Sequence, residues 1–411
     1  MTAVPKRGMM NFVFRRPTRI AGLCLVLLVS ASCETLRQVG KTADRAAKGQ
    51  PVDTKRIESA ITRDATQFGK ELQRFKREFD KALAKLKGDI QKKWGQQEVK
   101  VANRTVYVKY TENYRSRALV DFDKGTVTVE SLDEKDPQGS LKTALISTLL
   151  TTSDPQGVDL FSDREVTLSN GRQPYLFGLV LDDDAKPVQT REQAERFADS
   201  LVRTQLKTRN VQTDEGSKSA HFVKFPMVSN FESKKAERYR AHVARYAEQY
   251  KISPSLVYAI IRTESNFNPF AVSSAPAYGL MQLVPSSGGR AAYRRAKGND
   301  QAPTPDYLFD PEHNIELGTA YLNVLSYNEL EKLSNPVSRD YCVISAYNTG
   351  PGNVFRTFSK NQVTAVNEIN ALEPPALYER LRTSLPYDET RQYLAKVVGY
   401  RKQFVAVTPE H

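Results

Sequence analysis

The apolar period of this chain changes abruptly near residue 105, and that switch limits its fold more than any other feature. From Ile57 to Trp94 the apolar residues Ile57, Ile61, Phe68, Leu72, Phe75, Phe79, Leu83, Leu86, Ile90 and Trp94 recur at three- and four-residue steps, which predicts one long amphipathic helix. Gly69 and Gly88 are the points where it can bend. Beyond it, Val106-Tyr107-Val108-Lys109-Tyr110 and Ala118-Leu119-Val120-Asp121-Phe122 read as strands, and Asp123-Lys124-Gly125 turns into Thr126-Val127-Thr128-Val129. Helical patterns follow near 139–151 and 190–206, with another strand around 221–225. From about Ser233 the pattern is helical to the end, broken by loops rich in Pro, Gly, Ser and Asn. At 411 residues the chain is too long for one core. The fold class predicted is therefore an α+β N-terminal domain over 56–230 followed by a mainly α domain over 231–411. The stripe of the long helix reads as a packing face against its own domain.

The first 32 residues read as a secretory leader. Basic residues precede the apolar run Ala21-Gly22-Leu23-Cys24-Leu25-Val26-Leu27-Leu28-Val29, and the small residues Ser30-Ala31-Ser32 follow. The run is too short for a stable membrane span. Cys33, directly after the small residues, resembles the lipobox of bacterial lipoproteins, in which the cysteine is acylated and becomes the mature N-terminus. Ser30 departs from the aliphatic residue usual in that motif, and simple cleavage with secretion stays open. Residues 33–55 then form a lipid anchor and a polar tether. Glu34 after the cysteine implies, by the same resemblance, the outer membrane with the protein facing the periplasm.

Loss of Lys6, Arg7, Arg15, Arg16 and Arg19 with the leader changes the net charge from +13 to +8, 55 basic side chains against 47 acidic. A basic surface suits an acidic wall polymer, an anionic membrane or nucleic acid, and no recognition module accompanies the charge to favour nucleic acid. After processing only Cys342 remains as a free thiol, in the apolar run Tyr341-Cys342-Val343-Ile344, so it reads as structural. The histidines at 221, 242, 313 and 411 are scattered without metal-ligand spacing, and neither metal nor cofactor is expected.

The chemistry concentrates after Ser253-Pro254, a good helix start with a capping hydroxyl and a proline in the first turn. Val257, Ile260, Ile261 and Glu264 follow helical spacing, so the carboxyl of Glu264 extends an apolar stripe while Arg262 turns to solvent. Burial disfavours ionisation, which lets a glutamic acid hold its proton near neutral pH and deliver it as a general acid. Alone, such a glutamate is more often a structural cap or ion-pair partner. The residues around it change that reading. Ile261-Arg262-Thr263-Glu264-Ser265-Asn266-Phe267-Asn268-Pro269 leads to Ala271-Val272-Ser273, Ala277-Tyr278-Gly279-Leu280-Met281-Gln282, Phe309-Asp310-Pro311, Ala346-Tyr347-Asn348-Thr349-Gly350-Pro351-Gly352 and finally Tyr393.

In order and spacing these motifs resemble the lysozyme-like domain of the soluble-type lytic transglycosylases, over about 170 residues. The resemblance implies a lysozyme-like catalytic fold, Glu264 as catalytic acid, and a substrate-binding set of Ser265, Ser273, Gly279, Met281, Gln282, Tyr347, Asn348 and Tyr393. A local backbone bond is an equal alternative for Ser265, and a core position for Met281. Pro276 stands where many relatives have glycine, which stiffens that loop.

By the family's chemistry, Glu264 protonates the glycosidic oxygen between N-acetylmuramic acid and N-acetylglucosamine in peptidoglycan glycan strands. It then deprotonates the muramyl C6 hydroxyl, which closes a 1,6-anhydro ring without consuming water. Two alternatives stay open: a hydrolytic muramidase on the same fold, and a non-catalytic peptidoglycan-binding lipoprotein. Residues 56–230 carry no visible catalytic constellation and read as a spacer or glycan-docking module.

Overall fold

The structure, a computed structural model, describes residues 54–405. The leader, Cys33 and the tether as far as residue 53 lie outside the described residues, as does His411. The expected amphipathic helix is present as Thr54–Trp94, continuous through Gly69 and Gly88. Thr66–His411 is one compact unit.

Five antiparallel strands follow the long helix: β1 (Val106–Thr111), β2 (Ser116–Asp121), β3 (Thr126–Ser131), β4 (Lys207–Thr213) and β5 (Gly216–Pro226), in the spatial order β1-β2-β3-β5-β4. The β2–β3 turn forms as its sequence requires. The Asp121 carboxylate accepts from the amides of Asp123 and Lys124, and Gly125 takes the left-handed conformation.

Strand alternation sends Tyr107, Val120, Val127, Val129, Val223 and Phe225 to one face, into a core with the helices Pro137–Leu150 and Arg191–Gln205. Val108, Tyr110, Val211 and Ala220 point the other way, against Leu86, Ile90 and Trp94. The end of the stripe, Leu86, Ile90 and Trp94, thus packs on its own domain as predicted, whereas Phe79 joins the core of the helical domain.

β4 was not expected, since only Val211 among its seven residues is buried. Backbone pairing with β5 and a charged cluster hold it instead. Arg117, fully buried, lies 3.7 Å above the Trp94 ring and donates to Glu130 at 2.5 Å and to Glu98 at 2.8 Å. Arg209 from β4 donates to the same two carboxylates. The Arg209 hydrogen bonds bring the Glu98 carboxyl down to about 2, against the opposing effect of burial.

From Phe231 onward every regular element among the described residues is helical. Helix Pro254–Ser265 sits at the centre of this second core, with Val257, Ile260 and Ile261 fully buried, and the closing helix Asp388–Phe404 lies along it. Cys342 is buried in this core, where burial pushes its thiol up to about 12. Among the scattered histidines, His313 stacks on Tyr307 and His242 faces Glu312.

Candidate active site

Helix Pro254–Ser265 delivers Glu264 in its last turn. Ser253 occupies the N-cap position, but its hydroxyl pairs with Ser255 at 2.8 Å and caps no backbone amide, so Pro254 alone marks the start as expected. At the other end Asn266 and Phe267 both take left-handed conformations and turn the chain away sharply. The carboxyl of Glu264 therefore stands at a helix terminus with apolar residues behind it, and Glu264 is only 6% exposed. Arg262 does not run free into solvent: its guanidinium lies over Tyr400 and reaches Glu232.

The Tyr393 hydroxyl donates to Glu264 Oε1 at 2.8 Å. Arg104 Nη1 lies 3.8 Å from Glu264 Oε2 and 3.7 Å from Glu389 Oε1. Burial raises the Glu264 carboxyl to about 7, opposed by the Tyr393 bond and by the Arg104 charge, with Glu389 adding a small upward push. Tyr393 and Tyr347 are both raised well above the ordinary phenol range, by burial first and by the Glu264 charge second. Both hydroxyls are therefore donors throughout the physiological range.

Several of the expected residues are buried in the framework of the catalytic domain. Ser265 is fully buried, with its hydroxyl on the carbonyls of Ile261 (3.1 Å) and Leu280 (2.8 Å), the backbone bonding that stood as its alternative role. Met281 is also fully buried, its side chain pressed against Gly318. Gln282 spends its amide nitrogen on the carbonyls of Ala271 and Gly279, and its Oε1 is buried without a partner.

Gly279 is a glycine for two reasons: its φ is +74°, and a Cβ there would collide with the Leu308 carbonyl. Asn314, which the sequence reading missed, holds this segment from below, accepting from the Met281 amide and donating to the carbonyls of Tyr278 and Leu308.

Tyr347, Asn348 and Ser273 keep exposed surface. The Tyr347 hydroxyl donates to the Met281 carbonyl at 2.8 Å, and Asn348 accepts from Thr390 at 2.6 Å, fixing the closing helix beside it. Gly350, at φ +84°, makes a tight turn after this motif. Tyr393, Val397 and Phe404 are buried along one face of the closing helix.

Arg104 and Glu389 were also missed by the sequence reading. Arg104 precedes β1, so the N-terminal domain is more than a spacer: it contributes a side chain to the site. The chain after Glu264 is fastened to that domain as well. Asn266 donates to the Phe122 carbonyl and to Asp123, Asn268 donates to the Arg104 carbonyl, and Phe270 is fully buried between Tyr107 and Tyr175. No sequence signal links residues so far apart, although Asn266, Asn268 and Phe270 adjoin the Glu264 motif.

Comparison with known proteins agrees with this architecture. Residues 72–238 match the N-terminal domain of membrane-bound lytic murein transglycosylase C, and residues 242–370 match the transglycosylase SLT domain. The chain is 41% identical over 326 residues to membrane-bound lytic murein transglycosylase C of Klebsiella pneumoniae subsp. pneumoniae, spanning 79% of this chain and 89% of that protein. It is also 41% identical to the Sodalis glossinidius protein of the same name, across 79% and 90% respectively. Among solved structures, the 70 kDa soluble lytic transglycosylase of Escherichia coli aligns with 29% identity and a TM-score of 0.33, over 42% of this chain and 25% of that one. The chain belongs to the membrane-bound lytic murein transglycosylase C family, and is an enzyme of the lytic murein transglycosylase class.

Proposed function

We propose that this chain cleaves the β-1,4 bond between N-acetylmuramic acid and N-acetylglucosamine in peptidoglycan, with Glu264 as acid and then base and a 1,6-anhydromuramyl end as product. The observation that carries this reading is a carboxyl at a helix end, bonded to Tyr393 and raised by burial to about 7. The Tyr393 bond occupies Oε1, which leaves Oε2 to carry the transferable proton. That oxygen protonates the leaving O4 as the C1–O bond breaks, and the substrate's own acetamido carbonyl shields the positive charge at C1. The glutamate then takes the proton of the muramyl C6 hydroxyl, and O6 bonds to C1. One base is enough because the nucleophile belongs to the substrate, so close positioning replaces a second carboxylate.

In this reading Tyr347, Asn348 and Ser273 touch sugar directly. Tyr393 orients Glu264, while Ser265, Gly279, Met281 and Gln282 hold the floor beneath it. We divide the chain into a leader over 1–32, an anchor and tether over 33–55, the N-terminal domain over 56–230 and the catalytic domain over 231–411. Acylation of Cys33 would hold the enzyme at the outer membrane, facing the periplasm. Among the described residues no helix is long and apolar enough to cross a membrane.

Glu389, across Arg104 from Glu264, is a feature a hydrolytic alternative could use, since a second carboxylate could activate water. Mass spectrometry of fragments released from purified peptidoglycan separates the two. Anhydro ends, one water lighter, are expected; reducing muramyl ends alone would overturn the proposal.

A further inference from the structure

Arg104 is held differently at its two ends. Its backbone is fixed on every side: the Asn103 carboxamide accepts from the amides of Thr105 and Val106, the Thr105 carbonyl accepts from Phe122, and Asn268 donates to the carbonyl of Arg104 itself. Its guanidinium is not. Among the described residues it makes no hydrogen bond within 3.5 Å, its side chain is 43% exposed, and its two acidic neighbours stand off at nearly equal distances of 3.8 and 3.7 Å. A rigid stem with five unspent donors, next to the proposed proton donor, is built to receive oxygen atoms from outside the protein. A residue serving only to tune Glu264 would be expected to close on the carboxylate at hydrogen-bond distance.

We propose that Arg104 is a specificity residue that binds the carboxyl carbon's oxygens on the lactyl group of the muramyl sugar, a deepening that rests on the function proposed above. Along a strand of alternating amino sugars, that substituent is what distinguishes a muramyl from a glucosaminyl residue. It offers two in-plane lone-pair directions, as a carboxylate on naked strands and as an amide carbonyl where a stem peptide is attached, and a guanidinium fork matches either. The N-terminal domain, through this one side chain, would then set which sugar lies beside Glu264.

The test is a chemical cycle. Initial rates of the parent, Arg104→Ala and Arg104→Lys proteins are measured as kcat/KM on naked glycan strands, on stem-bearing strands, and on naked strands whose lactyl carboxyls have been reduced to alcohols. Any effect of Arg104 on Glu264 acts on all three substrates alike and cancels in their ratio. The parent is expected to prefer naked over carboxyl-reduced strands by roughly ten- to a hundredfold, the value of a charged hydrogen-bonded contact. Arg104→Ala should bring that ratio to about one, with Arg104→Lys in between. A greater loss on naked than on stem-bearing strands assigns the free carboxylate, and the reverse assigns the amide carbonyl. Equal loss on all three substrates, or a parent ratio near one, would overturn the assignment. A parent that releases no anhydro ends from any strand would instead remove the underlying function, a separate failure.

Discussion

Replacing Tyr393 by phenylalanine removes one hydrogen bond and leaves the burial of Glu264 in place. In the native protein burial lifts the carboxyl to about 7, and the bond from Tyr393 to Oε1 at 2.8 Å is the largest opposing effect. That bond is stronger to the ionised than to the neutral carboxyl, by roughly 1.5 kcal/mol, which corresponds to about one pH unit in the midpoint. If the protonated acid is the working form, kcat/KM of the parent falls as pH rises through about 7, since this quantity reports the free enzyme. In Tyr393→Phe the same falling limb should lie near pH 8, whatever the loss in absolute rate. The assay is fragment release from sacculi between pH 5 and 9. A limb that stays put or moves to lower pH would refute the claim that desolvation, opposed by Tyr393, sets the protonation of Glu264.

Three further outcomes follow from the same geometry. Because the folded protein holds the Glu264 proton more tightly than the unfolded chain, its ionisation costs stability that is absent below about pH 4.5 and complete above about pH 7. Glu264→Gln should therefore be more stable than the parent by about 3 kcal/mol above pH 7, the difference fading in acid, as read by chemical denaturation at several pH values. Gly279→Ala forces a left-handed residue and a Cβ contact with the Leu308 carbonyl, and should lower stability by more than ~2 kcal/mol while abolishing activity. Phe270→Ala empties a buried aromatic site on the N-terminal domain, costing roughly 3–5 kcal/mol by thermal or denaturant unfolding, and should reduce activity although Phe270 does not touch Glu264.

Where local pattern sufficed, the sequence was a good guide to the fold. The three-to-four-residue stripe ending at Trp94 and the alternation around Val108 and Val120 each encode a buried face, and those elements formed where expected. β4 carries no such code. It is an edge strand secured by Arg209 to Glu98 and Glu130, an arrangement that depends on residues some hundred positions away.

The site divides along the same line. Glu264 could be placed because helical spacing puts it on a buried face, and Tyr393 because it closes the series of motifs. Arg104 could not, because what brings it to Glu264 is the seating of Asn268 and Phe270 in the other domain. For Ser265 and Met281 the inward role was one of two readings left open, and for Gln282 it was not foreseen: a motif marks a position near the chemistry, but the packing decides which way each side chain turns.

The central claim, that one buried carboxyl does both halves of the reaction, is met most directly by digesting purified sacculi with parent and Glu264→Gln proteins and quantifying anhydromuramyl ends by mass spectrometry. The parent should release them and the amide variant, folded and at least as stable near neutral pH, should release almost none. Anhydro ends appearing at comparable rates with the variant would contradict the assignment of Glu264.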